Sequence, residues 1–278
     1  GEGEGEGEGE GEGEVITSCN ELTEPIYLLT DEHEIIAYSP DTEVLEILGF
    51  LDCPIPDGTY VDFSVDSFGT LWVLAWPEES TAPGFVYTTI PGKTSCSPTA
   101  YDPSKAEIQF YRMTFVPDEG ASSNEEETLF GVGSLMEDSL DDTNRTLQTK
   151  STLGRWDMSL QNFSELVSIN RKHKGPPPIA ADKEGGIWLL MVEPGPRQFV
   201  KVDPVTGSFV ETVAIPEIFA GTETEKTLFA RWHGDNILFA RSATEMKTFV
   251  FNLNAPPGTS VPVLGFRVIA VGNATCSL

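Results

Sequence analysis

The chain is poor in the residues that carry metal and nucleophile chemistry. Its 278 residues include three histidines and four cysteines, and none of these lie at the spacing of a zinc site or a CxxC redox motif. The histidines fall in separate segments, without a serine or cysteine nucleophile at a recognisable spacing. The sequence therefore predicts no zinc or thiol redox centre, no cofactor apart from the candidate calcium ion considered below, and no nucleophilic catalysis.

Long apolar runs and basic residues are scarce as well. No run approaches the roughly 20 apolar residues that cross a bilayer as a helix, so we expect no membrane span. The chain has 17 Lys and Arg against 44 Asp and Glu, a net charge of −27 at pH 7. A field of this sign repels nucleic acid and favours cations or basic partners, although solubility alone also explains it. We expect no nucleic-acid partner.

The N terminus, by contrast, is a perfect repeat. Residues 1–14 are copies of Gly-Glu, with no apolar surface to bury and much backbone entropy to lose, so the segment orders only where something holds it. Because side chains alternate along an extended strand, one face carries a row of carboxylates: Glu2, Glu4, Glu6, Glu8, Glu10, Glu12 and Glu14. We divide the chain into this tail, residues 1–14, and one domain, residues 15–278, and expect the carboxylate row to contact neighbouring subunits.

The domain has the pattern of an all-β protein. Short runs of alternating apolar and polar residues are separated by Gly, Pro, Asp and Asn. Residues 66–72 and 182–188 share Asp, Gly and Trp at the same offsets, which predicts the end of one strand, a tight turn and a second strand with a buried Trp. Trp76 and Trp156 are less constrained, and we consider them able to face a ligand.

This hairpin divides the chain into groups of four strands, the blades of a β-propeller. The predicted strands of four blades are 61–65, 71–75, 85–90 and 99–101; 112–116, 128–132, 153–157 and 163–169; 178–181, 187–192, 199–202 and 209–215; 228–232, 237–241, 248–253 and 261–264. Two sets of strands remain. The C-terminal set is one innermost strand at 266–271, and the N-terminal set is three outer strands at 26–30, 35–38 and 44–50. Together they complete a blade without exposed edges. The sequence predicts a five-bladed β-propeller with four strands per blade, whose closing blade is shared between N- and C-terminal strands.

The cysteines fit this assembly. An even, widely spaced set of four favours two disulfides and an oxidising compartment, with three connectivities open. Cys19 and Cys276 fall at the same end of the closing blade, so a Cys19–Cys276 bridge would close the ring, at about 4 to 5 kcal/mol on the chain-entropy model. Cys53–Cys96 would then be a local clamp. Since the chain starts at glycine, we expect an export signal either to have been removed or to lie outside the given sequence, and the protein to be extracellular or at the cell surface.

Several of these segments resemble a known family. Residues 51–54, 63–74, 94–96, 113–116 and 268–276 are similar to a family of uncharacterised exported propeller-like proteins from myxobacteria and their relatives. The resemblance covers most of residues 19–278. It implies a propeller at the cell surface or secreted from the cell, and it carries no activity.

A propeller places ligands at the mouth of its central channel, which the innermost strands line. Aligning those strands puts Asp62, Arg112 and Arg267 at equivalent positions, with Arg231 two residues further along its strand. These residues are candidates for a channel-mouth site, and the alternative is that the arginines pair with nearby carboxylates in a structural channel. A glycosidase needs two facing carboxylates, and only Asp62 lies at the expected position. We expect no enzyme.

Two further features mark surface loops. Acidic residues that are candidate calcium ligands lie on the second blade, without the order of an EF-hand loop, so solvated surface is the favoured interpretation: Glu125, Glu126, Glu127, Asp138, Asp141 and Asp142. Three sequons make Asn144, Asn162 and Asn273 candidates for glycosylation.

Two functions of different class follow. The first is a non-enzymatic secreted or cell-surface propeller that self-assembles into an extracellular filament or array, with the tail, residues 1–14, bridging copies of the chain. The alternative is a carbohydrate- or peptide-binding propeller module on a flexible acidic stalk, whose partners are glycans or cations.

Overall fold

A computed structural model describes residues 20–55, 58–77, 84–106, 108–118, 126–135, 149–173, 177–191, 197–215, 226–241, 246–251 and 266–278. Strands make up most of this part of the chain. They are β1 Ile26–Thr30, β2 Glu34–Ser39, β3 Val44–Phe50, β4 Gly58–Val65, β5 Leu71–Pro77, β6 Phe85–Thr89, β7 Ser97–Pro98, β8 Ile108–Pro117, β9 Glu127–Leu135, β10 Thr149–Asp157, β11 Asn162–His173, β12 Ile179–Ala181, β13 Ile187–Met191, β14 Gln198–Val202, β15 Phe209–Ala214, β16 Lys226–Trp232, β17 Asp235–Arg241, β18 Met246–Phe251 and β19 Val268–Asn273.

The strands form antiparallel sheets in chain order. The first sheet is β4-β5-β6-β7, the second β8-β9-β10-β11, the third β12-β13-β14-β15, and the fourth contains β16-β17-β18. The closing sheet has the order β19-β1-β2-β3. Its register runs from Ile26 opposite Asn273 to Thr30 opposite Val268, which is the sharing between the two ends of the chain that the sequence predicts.

The innermost strands form a ring. β19 contacts β4, β4 contacts β8, β8 contacts β12, β12 contacts β16, and β16 contacts β19. Sheets that radiate from such a ring define an all-β propeller, and these strands line its central channel. The predicted strand at residues 261–264 lies outside the described residues. The strand predicted at 99–101 is instead the two-residue β7, after which the backbone N–H of Thr99 makes one more hydrogen bond, to the carbonyl oxygen of Val86 at 3.0 Å.

The core lies between neighbouring sheets, so strands near the centre bury side chains on both faces. β1 shows this most clearly, because all five of its residues are buried. Its alternate side chains Ile26 and Leu28 pack toward the fourth sheet, whereas Tyr27 and Leu29 pack toward the first sheet. A strand that is covered on both faces therefore has a continuous apolar sequence. Each buried Leu stabilises the fold by about 2 kcal/mol.

The repeated turn of residues 66–72 and 182–188 has the predicted hairpin structure. The carboxylate of Asp66 accepts the backbone N–H of Thr70 at 2.7 Å and the indole N–H of Trp72 at 3.1 Å. The carboxylate of Asp182 likewise accepts the backbone N–H of Gly186 at 2.6 Å and the indole N–H of Trp188 at 2.7 Å. The intervening glycines have φ values of 83° and 82°, a left-handed conformation that favours glycine.

The disulfides agree with the sequence as far as the structure describes them. Cys53 and Cys96 are bonded to each other, which confirms the predicted local clamp. Cys276 is also disulfide-bonded, and its predicted partner, Cys19, lies outside the described residues. The sulfur of Cys276 lies 3.8 Å from the carbonyl oxygen of Thr23, so the C-terminal segment lies beside the start of the described chain.

Candidate functional site

The channel has a pocket at the end where the inner strands β4, β8 and β19 begin. Its volume is about 340 Å³, within the range of about 300 to 1,000 Å³ typical of small-ligand sites. The closing, first and second sheets provide its walls: Asp31, His33, Thr59, Tyr60, Val61, Trp76, Tyr111, Arg112 and Ile269. We call this the mouth pocket.

A β-bulge in each of these three inner strands shapes the mouth pocket. The pairing register skips Val61 in β4, Tyr111 in β8 and Ile269 in β19. A bulge adds one residue, bends the strand and turns a side chain away from the alternating pattern, and bulges are common beside functional sites. All three skipped residues line the mouth pocket, so the bulges turn these positions toward one space.

Aromatic rings form much of its wall. Trp76 from β5 and Tyr111 from β8 meet edge to face, with ring centroids 4.5 Å apart and an interplanar angle of 70°. His33 and Tyr60 meet the same way at 4.6 Å and 87°. The expectation that Trp76 is available to a ligand fits this position. Trp156 is instead buried, with 5% of its surface exposed, among Tyr101 from the segment before β8 and rings of the second sheet.

The second sheet provides the pocket's guanidinium group. Nη1 of Arg112 donates to the carbonyl oxygens of Val61 and Tyr111, both at 3.0 Å, and lies 3.9 Å from Oδ1 of Asp62. The other carboxylate oxygen of Asp62 accepts the backbone N–H of Met113 at 2.8 Å. Asp62 therefore lies buried behind Arg112. Its carboxylate accepts a backbone N–H at the edge of β8, where no strand of the first sheet supplies a carbonyl oxygen.

The closing sheet provides the opposite rim. Nε of Arg267 lies 3.3 Å from Oδ2 of Asp31, and the backbone N–H of Asp31 donates to the carbonyl oxygen of Arg267 at 2.9 Å. His33 follows in the β1–β2 turn with a φ of 67°. A side-chain-bearing residue in this conformation is uncommon, and such strain often occurs at binding sites.

The segment between β3 and β4 braces this rim. The backbone N–H of Leu51 donates to the carbonyl oxygen of His33 at 2.8 Å, and that of Cys53 donates to the hydroxyl oxygen of Tyr60 at 2.9 Å. Burial raises the pKa of Tyr60, and the hydrogen bond from Cys53 partly opposes this. The Cys53–Cys96 disulfide thus anchors the segment that holds both the His33 backbone and the Tyr60 side chain.

The structure brings three of the four predicted channel-mouth residues to this region. Asp62, Arg112 and Arg267 meet in or beside the mouth pocket. Arg231 lies elsewhere, at the opposite end of its strand, with its guanidinium 5.1 Å from the Trp188 ring. Arg231 is 7% exposed, and burial lowers its pKa. The Arg231 side chain faces the third sheet rather than the channel. The pairing with nearby carboxylates that the structural alternative expects occurs instead at Arg112 with Asp62 and at Arg267 with Asp31.

A partly buried carboxylate that sequence reasoning placed on the surface is Glu127. Its two oxygens accept the backbone N–H of Ser67 and the hydroxyl of Thr275, both at 2.6 Å. Burial raises the pKa of Glu127 to about 7, against the lowering effect of these hydrogen bonds. Glu127 therefore joins the second sheet, a turn of the first sheet and the C-terminal segment. Nothing in the local sequence distinguishes it from its acidic neighbours.

The remaining predictions concern metals and modification. Glu125, Asp138, Asp141 and Asp142 lie outside the described residues, and the described part contains no group of three or more His, Cys, Asp or Glu placed to hold a metal ion. Asn144 also lies outside it. Asn162 begins β11, where its side-chain oxygen accepts the N–H of Phe163 at 2.8 Å. Asn273 ends an inner strand, and its amide donates to the carbonyl oxygen of Ala274 at 3.3 Å.

Two predictions concern the tail and the membrane. The tail carboxylates Glu2, Glu4, Glu6, Glu8, Glu10, Glu12 and Glu14 all lie outside the described residues. Among the residues with described structure, no helix has the length and hydropathy to cross a membrane.

Among the comparisons with known proteins, only the comparison with solved structures finds similar proteins. No protein-family model matches the chain, and no curated protein matches it significantly. A structure of the Dos1 propeller aligns with 92% of this chain and 81% of that chain at 8% identity and a TM-score of 0.42. TolB from Acinetobacter baumannii aligns at 9% identity and a TM-score of 0.46, and the match spans 89% of this chain but only 58% of TolB. A PQQ-bound aldose sugar dehydrogenase from Streptomyces coelicolor aligns with 87% of this chain and 79% of that chain at 10% identity and a TM-score of 0.45.

Proposed function

We propose that the domain is a five-bladed propeller with four strands per blade. Support comes from the ring of inner strands and from the four sheets that each contain four strands. The fourth sheet has three described strands, and the sequence predicts its outer strand at residues 261–264. On this proposal every blade contributes one strand to the channel wall, and the mouth pocket uses three of the five.

We infer that the domain is a binding module and that the mouth pocket takes a carbohydrate. The observation that carries this inference is the meeting of three bulged inner strands around a space lined by aromatic rings and by an Asp and an Arg. The C–H face of a sugar ring packs on an aromatic wall such as Trp76 and Tyr111. Its hydroxyl groups both donate and accept, so they suit the Asp31 carboxylate and the Arg112 guanidinium.

We propose that this module is not an enzyme. Glycoside hydrolysis needs an acid with a raised pKa and a second carboxylate across the substrate. The two carboxylates near the mouth pocket face arginines instead, with Asp62 beside Arg112 and Asp31 beside Arg267. Asp62 is also buried behind the pocket wall, so the pair does not flank a common substrate position.

We also propose that the protein works outside the cytosol. All described cysteines are in disulfides, and disulfides persist in oxidising compartments such as the extracellular space and the periplasm. Secretion or display at the cell surface fits a module that binds glycans.

The test of the binding function is a glycan array followed by titration of each hit. Trp76→Ala removes the aromatic wall and should weaken binding by about tenfold or more. Phe68→Ala is the matched control, because Phe68 is a 60% exposed ring at the opposite end of the same sheet and should leave the affinity unchanged. Melting curves of both variants separate lost binding from lost folding. Equal affinity of wild type and Trp76→Ala, or an array without hits, would contradict the proposal.

Self-assembly into a filament or array remains a second candidate function, and one feature favours it. The outer strand of the closing sheet, β3, exposes Val44, Ile47 and Phe50, each by more than half of its surface. An exposed apolar edge strand is a site where another chain pairs or packs. The tail, residues 1–14, precedes this same sheet in the sequence.

Electron microscopy and sedimentation of the full chain and of a variant without residues 1–14 test this second function. We expect the full chain to form assemblies and the truncated chain to remain monomeric. A full chain that stays monomeric at every concentration, or assemblies that survive the deletion, would count against bridging by the tail.

A further inference from the structure

The mouth pocket has two charged side chains in its lining, and they come from opposite walls. Asp31 lies on the closing sheet and Arg112 on the second sheet, with Tyr60 and Val61 of the first sheet between them. Each already faces an opposite charge outside the lining, Arg267 for Asp31 and Asp62 for Arg112. The charges of the pocket therefore compensate one another in pairs.

Of the two charged side chains in the lining, Arg112 is less available to a charged ligand than Asp31. Its side chain is 16% exposed, its Nη1 already donates to two carbonyl oxygens, and Asp62 lies 3.9 Å from that nitrogen. A ligand carboxylate would enter beside the buried charge of Asp62, and burying a second like charge is unfavourable. The net charge of −27 also opposes the approach of an anion.

Asp31 is the more accessible member. Its side chain is 35% exposed and that of Arg267 is 61% exposed, so Arg267 covers one side of the carboxylate from solvent. Because Arg267 already compensates the charge of Asp31, an ammonium group gains less there than at an unpaired carboxylate and still loses hydration, whereas a hydroxyl group donates to a remaining lone pair of the carboxylate and leaves the ion pair intact. An uncharged ligand thus uses both polar walls without breaking either pair.

We propose that, given the carbohydrate-binding function above, the mouth pocket selects an uncharged sugar over the uronic acid and the amino sugar of the same ring, and that Arg267 determines this specificity. The paired charges make the pocket polar but electrically neutral, and the aromatic wall of Trp76 and Tyr111 accepts the apolar ring face. Arg267 acts by occupying the carboxylate that a cationic sugar would otherwise bind.

Calorimetric titration with matched sets tests the selection: glucose, galactose, mannose and xylose, the corresponding uronic acids, the 2-amino sugars, and glycine as a zwitterion. We expect at least one neutral sugar to bind about tenfold more tightly than its charged analogues. In Arg267→Gln the ratio of amino-sugar to neutral-sugar affinity should rise about fivefold, because Asp31 becomes unpaired.

The matched control is Arg155→Gln. Arg155 is an exposed arginine on β10 of the second sheet, so the variant changes the net charge equally and leaves the mouth pocket intact. An equal rise of the ratio in both variants would mean that net charge, not Arg267, sets the selectivity, and would overturn the assignment.

The outcomes separate this inference from the function on which it rests. If uronic acids, amino sugars or glycine bind as tightly as neutral sugars, the selectivity is wrong while a binding site remains. If no sugar of any charge binds, or if Trp76→Ala leaves the affinity for every sugar unchanged, the carbohydrate-binding function itself fails.

Discussion

At the scale of single residues, environment rather than residue type decides what each carboxylate does. Asp182 is held by Lys201, by the Trp188 indole and by a backbone N–H, and these contacts outweigh burial and lower its pKa. Glu127 has hydrogen bonds from Ser67 and Thr275 but no cation, and burial raises its pKa to about 7. The first carboxylate locks a turn in its charged form, whereas the second resists ionisation.

The raised pKa of Glu127 predicts a pH dependence of stability. Because the folded protein holds this proton more tightly than the unfolded chain, whose pKa is near 4.5, the stabilisation is complete below pH 4.5 and is lost as the pH rises through about 7. The loss amounts to about 2 to 3 kcal/mol in the free energy of unfolding.

Denaturant unfolding between pH 4 and pH 8 checks this prediction. Glu127→Gln should remove this contribution, so the difference in the free energy of unfolding between wild type and variant should change across this range. Glu21→Gln, at an exposed position, serves as the control. Parallel pH profiles for wild type and Glu127→Gln would contradict the account of this residue.

At the scale of elements, the Cys53–Cys96 disulfide holds the segment that supports one wall of the mouth pocket. Residues 51–55 hold the His33 backbone and the Tyr60 hydroxyl group, and the Cys53–Cys96 bond fixes this segment to the first sheet. The double variant Cys53→Ser and Cys96→Ser should lower the free energy of unfolding by about 3 to 4 kcal/mol. It should also weaken ligand binding several-fold in the folded protein, measured by titration.

Tyr60→Phe separates the two effects of the clamp, because it removes only the hydrogen bond from Cys53. We expect this variant to weaken binding and to lower the free energy of unfolding by about 1 to 3 kcal/mol, less than loss of the disulfide, because the N–H of Cys53 loses its acceptor. If the double serine variant melts earlier but binds as tightly as wild type, the disulfide stabilises the fold without positioning the pocket wall.

Sequence patterns predicted these elements unevenly. The turns at residues 66–72 and 182–188 were predictable, since Asp, Gly and Trp at fixed offsets have one strong structural meaning. The bulges at Val61, Tyr111 and Ile269 were not, because one extra residue in an alternating pattern looks like ordinary irregularity. For the same reason an alignment of inner strands brought Arg112 and Asp62 to the mouth pocket but gave Arg231 a channel position that it does not occupy.

At the scale of the whole molecule, the two ends of the channel differ. The mouth pocket occupies the end where β4, β8 and β19 begin. At the other end, Thr275 binds Glu127, and Leu278 packs against the core between the second and third sheets. The segment that follows β19 therefore extends at this end to contacts with the second and third sheets.

The most direct test of the central claim is a nuclear magnetic resonance titration that follows the indole N–H signals of the five tryptophans as a neutral sugar from the array is added. The account predicts a saturable shift of the Trp76 signal, while the signals of the buried Trp188 and Trp232 stay in place. A saturable shift at Trp188 or Trp232 with none at Trp76, or no shift at any tryptophan at saturating sugar, would contradict the assignment of the mouth pocket as the binding site.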